Sequence, residues 1–259
     1  MTTERKPGAE RLARPSASIN ATSYLVYHYL FRDLEKAVAR YAKGDVLDVG
    51  CGNKPYASWF NGVSKYTGSD VVQSSLNKVD VICPATALAF DDGSFDTVFS
   101  TQVLEHVDDH QRAFAEINRV LKPGGYFIFS VPFTWELHEE PYDFFRFTKY
   151  GIRFLMSKFG FSEIEIIPNG GKWAALGQIR VNMIWSMFRK YPKVALVFKL
   201  FVKYTGIRAV LNLFYLALDT IDRDDLLTLN YVCVGQKIPG PEEQFIHSPD
   251  SGQAGFASA

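Results

Sequence analysis

Val46-Leu47-Asp48-Val49-Gly50-Cys51-Gly52 is the stretch whose reading decides the fold. Val46, Leu47 and Val49 form the short apolar run of a strand buried on both faces. Asp48 interrupts it, and a carboxylate in such a place is costly unless something at the strand end uses it. Gly50 and Gly52 then permit a sharp turn and a close approach of the backbone to a ligand. A dinucleotide-binding turn would need a third glycine to let a helix pack under a pyrophosphate. Here the sequence continues Asn53-Lys54-Pro55, and no Gly-x-x-x-x-Gly-Lys-Ser/Thr loop occurs either. The turn suits a ligand whose near end is not a pyrophosphate.

Working outward, the elements of an α/β fold follow in order. Lys65 to Asp70 reads as a second strand ending in an acid about twenty residues beyond the turn, where a carboxylate can accept hydrogen bonds from both ribose hydroxyls of a nucleoside. Val79 to Cys83 is a third apolar run, and Thr97 to Ser100 a fourth strand leading into Gln102-Val103-Leu104-Glu105-His106-Val107. His110 to Leu121 has helical spacing, with Phe114, Ile117, Val120 and Leu121 along one stripe. Lys122-Pro123-Gly124-Gly125 ends it before a fifth strand, Tyr126 to Val131. Upstream, Tyr27, Leu30, Phe31, Leu34, Val38 and Tyr41 make a helical stripe that should pack on this domain.

Val46–Gly52, Asp70, Leu88-Ala89-Phe90-Asp91-Asp92-Gly93-Ser94-Phe95-Asp96, Val103–Val107 and Arg119-Val120-Leu121-Lys122-Pro123-Gly124-Gly125 together resemble the class I S-adenosylmethionine-dependent methyltransferases, of the type 11 kind. The resemblance implies a Rossmann-like seven-stranded sheet with helices on both faces and S-adenosylmethionine as cofactor. It implies that Asp48 and the backbone of Gly50 and Gly52 receive the methionine end. Asp70 would hold the ribose, Val71 and Leu88 would flank the adenine, and Ser100-Thr101-Gln102 would pass beneath the sulfonium. Two positions depart from the family pattern. Pro84 stands where an acid often meets the adenine amino group, so that contact is not assigned, and Lys54 stands where a third glycine is common.

Ligands gather at the carboxyl ends of strands in open α/β sheets, so acceptor chemistry is expected after the fifth strand. Pro132 to Thr148 crowds aromatics, acids, a histidine and an arginine into one loop. Methyl transfer requires an aligned acceptor, exclusion of water and, for a hydroxyl or amine, removal of a proton. His138 has the natural pKa for that base, with Glu139 and Asp143 as alternatives. Arg146 suits a pair with Asp143 or a contact with substrate, and His106 is a second candidate for the base near the cofactor, with capping or helix packing favoured over it. The loop also resembles bacterial methyltransferases associated with surface polysaccharides. Tyr150 to Phe159 then reads as a helix capped by Thr148 and stopped by Gly160.

Phe161 to Ile167 and Leu229 to Gly235 read as the sixth and seventh strands, yet roughly sixty residues separate them. A structureless loop of that length is improbable in a compact domain, so residues 168–228 should be a helical insertion, broken near Pro192 and Gly206. Residues 166 to 218 contain eight Lys or Arg and no Asp or Glu, in a chain of zero net charge. Val194, Val197, Phe198, Phe201 and Val202 form an apolar stripe with Lys199 and Lys203 away from it. Such a segment fits a peripheral contact with a membrane or an anionic lipid-linked acceptor, and equally a helical lid or a homodimer surface. Its longest uncharged helical run, Ala209 to Leu218, is too short to span a bilayer.

The division expected is a flexible tail over 1–18, a cofactor-binding core over 19–167, the insertion over 168–228, a final strand over 229–238 and a second tail over 239–259. Cys51, Cys83 and Cys233 fall at core positions without metal-ligand spacing, so free thiols in a reducing compartment are expected and no metal. Residues 1 to 18 lack the apolar run of a signal peptide, which points to the cytoplasm, with the inner membrane face as the place of any peripheral contact. The function these residues point to is O-methylation of a small-molecule or glycan-type hydroxyl. The competing readings are a cofactor-binding protein without catalysis, acting through its basic helices, and an N- or C-methyltransferase on a metabolite or lipid. No nucleic-acid partner is expected, since no RNA-binding module is visible.

Overall fold

A computed structural model of the protein describes residues 17–189, 191, 193, 200, 202 and 204–239. Seven strands form one sheet: β1 (Asp45–Val49), β2 (Lys65–Asp70), β3 (Val81–Ile82), β4 (Phe95–Thr101), β5 (Leu121–Pro132), β6 (Phe161–Asn169) and β7 (Asn230–Lys237). Their order is β3-β2-β1-β4-β5-β7-β6. The first five strands pair in parallel, while β7 runs antiparallel between β5 and β6. The order reverses beside β1 and β4, the switch point where α/β sheets of this kind take ligands.

Successive side chains on a strand face opposite sides, and the core divides accordingly. Val98 of β4 and Phe127 and Phe129 of β5 pack with Phe114 and Ile117 of α2 (His110–Val120) and with Ile152 and Met156 of α3 (Lys149–Lys158). Phe99 and Ile128, one residue out of phase, face the other side, against Leu30, Leu34 and Val38 of α1 (Tyr24–Tyr41). Phe99, Phe114, Phe127 and Phe129 are among the largest fully buried side chains, each contributing about 1.5–3 kcal/mol of transfer free energy. Asp109 caps α2 by accepting from the Arg112 N–H, and Thr148 caps α3 by accepting from the Gly151 N–H.

Two expectations of detail change. The third strand is two residues long, shorter than the apolar run of Val79 to Cys83. Leu121 is not helical: it pairs with Phe95 at the start of β5, ahead of a register shift that leads to the Thr97–Tyr126 pair. The helix therefore ends at Val120, and the Lys122–Gly125 segment belongs to the strand.

Between β6 and β7 the chain forms α4 (Lys172–Arg189) and α5 (Ile207–Ile221). Ala174, Ala175 and Tyr215 pack there with Tyr24, Leu25 and Tyr29 of α1. Val194, Val197, Phe198, Phe201, Lys199 and Lys203 lie outside the described residues, as do 1–16 and 240–259. Among the described residues, no helix is long and apolar enough to cross a membrane. Cys51, Cys83 and Cys233 are free and buried.

Candidate functional site

A cavity of about 1110 Å³ opens at the carboxyl ends of β1, β2 and β4. Asp48, Gly50, Gly52, Asp70, Val71 and Gln102 form its wall on the sheet side, and His138 and Glu139 line it from the loop after β5. The turn residues of the sequence motif and the crowded loop thus meet in one space. Val26, Tyr27 and Leu30 of α1 add a wall that the sequence motifs did not indicate.

Gly50 makes the turn with φ +77°, and a Cβ there would stand 2.3 Å from Val103 Cγ2. Only glycine fits this position without displacing the β4 loop. Gln102 and Glu139 line the cavity with φ of +54° and +51°. Non-glycine residues in this left-handed region cost on the order of 1–3 kcal/mol and cluster at ligand-binding places. Lys54 also adopts it, at +53°, the backbone state a glycine would take with least strain.

Asp48 is buried, and its carboxylate accepts a short hydrogen bond from the Tyr66 hydroxyl. The register explains the pairing: Tyr66 lies opposite Val46, and Asp48 stands two residues along on the same face. Burial pushes the Asp48 carboxyl up to about 7, against the Tyr66 hydroxyl and the Lys54 ammonium, which pull it down. A cationic group in the cavity beside this carboxylate is what its environment favours. Asp70, also buried, accepts from the Gly52 N–H at 3.1 Å. That bond fixes the second glycine of the turn against the acid at the end of β2. Lys54, in the place of the family's third glycine, forms a close ion pair with Asp80, so the departure ties the turn to the segment entering β3. Pro84 lines the cavity with Cys83, Ala85 and Thr86.

Three expected site residues stand outside the cavity wall. Leu88 is buried in the core, where its N–H donates to Glu116 and its carbonyl accepts from Arg119. The wall beside Val71 is formed instead by Val72 and the residues from Cys83 to Thr86. Ser100 is buried with its hydroxyl bonded to the Val49 carbonyl at 3.0 Å; the next residues, Thr101 to Val103, line the cavity. Asp143 does not line it either. Both its oxygens are held by Arg146, at 2.6 and 2.7 Å, and one also accepts from the His138 N–H. The Arg146 hydrogen bonds hold the Asp143 carboxyl down to about 2, so it is a poor proton acceptor and serves to shape the loop.

His138 is 27% exposed, with Nδ1 3.3 Å from the Glu136 carbonyl and from Asp143 Oδ2. His106, the second base candidate, for which the sequence favours capping or packing, lines the same cavity. Its Nδ1 meets the Tyr142 carbonyl at 2.9 Å, and its ring lies edge-on to His138 with centroids 4.7 Å apart. Behind it Glu105 is fully buried, and burial pushes its carboxyl up to about 8. The Leu-Glu-His-Val run signalled both residues, although spacing gave no reason to bring them to His138.

Known proteins resemble this chain in part of its sequence and in its fold. The model of the methyltransferase domain family matches residues 47–129. The phthiotriol/phenolphthiotriol dimycocerosates methyltransferase of Mycobacterium tuberculosis is 34% identical over 98 residues, covering 33% of this chain and 36% of that one. Human mitochondrial arginine-hydroxylase NDUFAF5 is 33% identical over 92 residues, covering 32% and 27%. Among solved structures, the [4+2]-cyclase SpnF superposes with a TM-score of 0.53 at 16% identity over 90% of both chains, a likeness of fold. The chain spans about a quarter to a half of the lengths of the curated relatives it matches, between 27% and 46%. Residues 47–129 are a class I S-adenosylmethionine-dependent methyltransferase domain, and S-adenosylmethionine is the cofactor its turn and two carboxylates fit.

Proposed function

We propose that this protein transfers the methyl group of S-adenosylmethionine to a hydroxyl of a small-molecule or glycan-type acceptor. The observation that carries the reading is the opposition, across one cavity, of Asp48 and Asp70 to His138 and Glu139. In this arrangement Asp48 would hold the cofactor's ammonium and Asp70 its ribose, and bound there S-adenosylmethionine would supply an activated methyl group to the cavity shared with the acceptor loop. Transfer of that methyl to the acceptor oxygen, with cleavage of its carbon–sulfur bond, would leave S-adenosylhomocysteine. The proton passes to His138, or to Glu139 where His138 is otherwise engaged. The two oxygens 3.3 Å from His138 Nδ1, nearer than the Arg146 Nη2 donor at 3.5 Å, favour the tautomer with its proton there and its lone pair on Nε2.

Relatives named as a hydroxylase and a cyclase share the domain or its fold, so the fold alone does not assign the reaction. Incubation with methyl-deuterated S-adenosylmethionine and bacterial extracts, followed by mass spectrometry, separates the outcomes. Methyl transfer yields a product carrying the label and an equal amount of S-adenosylhomocysteine. A product gaining oxygen with the cofactor intact contradicts it, and no turnover despite cofactor binding favours a non-catalytic role. In the His138→Ala variant the rate should fall by about 10²–10⁴-fold with cofactor affinity kept; an unchanged rate removes His138 from proton transfer.

A peripheral contact with an anionic lipid surface is the second reading, through α4 and α5. Met183, Met187, Val210 and Phe214 are exposed there, in the part of the chain whose charged residues are all basic between 166 and 218. Apolar side chains among lysines and arginines are the composition of an interfacial helix.

A further inference from the structure

Glu105, on the acceptor side, has no part in the methyl transfer proposed above. Its side chain is 0% exposed, and neither carboxylate oxygen has a hydrogen-bond partner. A buried carboxylate without a hydrogen-bond partner costs several kcal/mol unless a proton or a positive group meets it. The nearest candidate is His106, with Nε2 3.8 Å from Glu105 Oε1. The Tyr142 carbonyl at His106 Nδ1 favours the tautomer with its lone pair on Nε2. In that tautomer a lone pair and a carboxylate oxygen face each other, and a positive species is needed between them.

One ligand atom from each of Glu105, His106 and His138 lies within 4.8 Å of the others. Both imidazoles already have the outer support of metal-bound histidines. His106 Nδ1 meets the Tyr142 carbonyl, and His138 Nδ1 lies 3.3 Å from the Glu136 carbonyl and the Asp143 carboxylate, with Arg146 Nη2 farther off at 3.5 Å. Oxygen partners at one ring nitrogen orient the ring and raise the basicity of the other. Asp143 is neutralised by Arg146, so the pair adds no net positive charge against a cation.

We propose that Glu105, His106 and His138 bind a divalent transition-metal ion on the acceptor side of the cofactor cavity. Two imidazoles and one carboxylate suit Zn²⁺, Co²⁺, Mn²⁺ or Fe²⁺ and disfavour Mg²⁺ and Ca²⁺, which take oxygen ligands. His106 and His138 line the cavity, so an ion held by them has open positions toward the acceptor and favours one with oxygen donors. With His138 so engaged, Glu139 takes the acceptor proton. The proposal rests on the methyl-transfer reading only for the word acceptor; the site stands or falls by metal binding itself.

The test uses the full chain, stripped of metal with a chelator. Zn²⁺ is titrated by calorimetry and Co²⁺ by its visible absorption, with S-adenosylhomocysteine titrated in parallel. The expected result is one equivalent of each metal, with the d–d bands of a nitrogen- and oxygen-ligated Co²⁺. Glu105→Gln keeps the shape and removes the charge; it should weaken both metals by at least about 10–100-fold, the effect of losing even an outer partner. His106→Ala and His138→Ala should each do the same, while Glu105→Gln binds S-adenosylhomocysteine as the wild type does. Failure of the wild type to take up either metal while binding S-adenosylhomocysteine overturns the proposal and leaves a proton as the species between Glu105 and His106. Uptake undiminished in Glu105→Gln overturns it equally. Loss of S-adenosylhomocysteine binding by the wild type contradicts the cofactor reading instead.

Discussion

At the scale of residues, Asp48 shows how the chain prepares for its ligand. The group is 2% exposed at the end of β1, and burial raises its carboxyl to about 7. A carboxyl raised in the fold stabilises while protonated. That contribution is whole below the unfolded value of about 3.8 and is lost as pH rises through about 7. In the proposed binding mode the cofactor's ammonium would reverse the preference, because it favours the ionised form. Affinity for S-adenosylhomocysteine should therefore increase between about pH 6 and pH 8, by no more than about tenfold per unit. In Asp48→Asn the affinity should be lower and nearly independent of pH over that range. Calorimetry showing a flat profile for the wild type would contradict the role given to Asp48. Much of this was legible in Val46–Gly52, since an acid in an apolar strand asks for a reason. Its partner Tyr66 was not, because a hydroxyl brought in by the register of a neighbouring strand leaves no local mark.

At the scale of elements, α4 and α5 are anchored by a carboxylate that no motif announced. Asp219 of α5 is fully buried and accepts from the Gly171 and Ala174 N–H groups at 3.0 Å and from the Tyr29 hydroxyl at 2.8 Å. It thus caps the start of α4 from another helix and ties both to α1. Gly177 lets α4 approach: a Cβ there would lie 2.5 Å from the Tyr215 ring and 2.9 Å from Leu25. In Asp219→Ala three donors lose their acceptor at about 1–3 kcal/mol for each buried group left unsatisfied. A total loss on the order of 3 kcal/mol is expected once water reaches the exposed edge of the gap. Urea unfolding monitored by circular dichroism measures it; a loss within about 0.5 kcal/mol, typical of surface changes, would show the helices to be held otherwise. Sequence periodicity indicated helices between β6 and β7. It gave no sign of Asp219, since a cap supplied across 45 residues has none of the spacing of a local capping box.

At the scale of the whole molecule, the order of motifs was enough to place five parallel strands and the cavity at their ends. The strand signals were strong because both faces of each central strand are buried. The acceptor side was legible in part: the Asp143–Arg146 pair, three residues apart, was one of the two roles offered for Arg146, whereas the meeting of His138 with His106 from another element left no local mark. Loops are shaped by such long-range contacts rather than by periodicity. The lipid reading makes its own prediction. The full chain should float with vesicles containing anionic lipid and less so as salt increases, since exposed charges are screened within roughly 8 Å at physiological ionic strength. Lys193→Glu combined with Lys199→Glu and Lys203→Glu should abolish flotation. Equal behaviour of the variant and the wild type would leave residues 168–228 as a lid or a surface between copies of the chain.

The central claim is that Asp48, the Gly50–Gly52 turn and Asp70 form a site for S-adenosylmethionine. Calorimetry of S-adenosylhomocysteine binding to the wild type and to Asp70→Ala, with NAD⁺ as control, tests it most directly. The wild type should bind S-adenosylhomocysteine and not NAD⁺, and Asp70→Ala should bind it more weakly by up to about 1.5–3 kcal/mol for each charge-assisted hydrogen bond lost. Unchanged affinity in Asp70→Ala, or a preference for NAD⁺, would contradict the account.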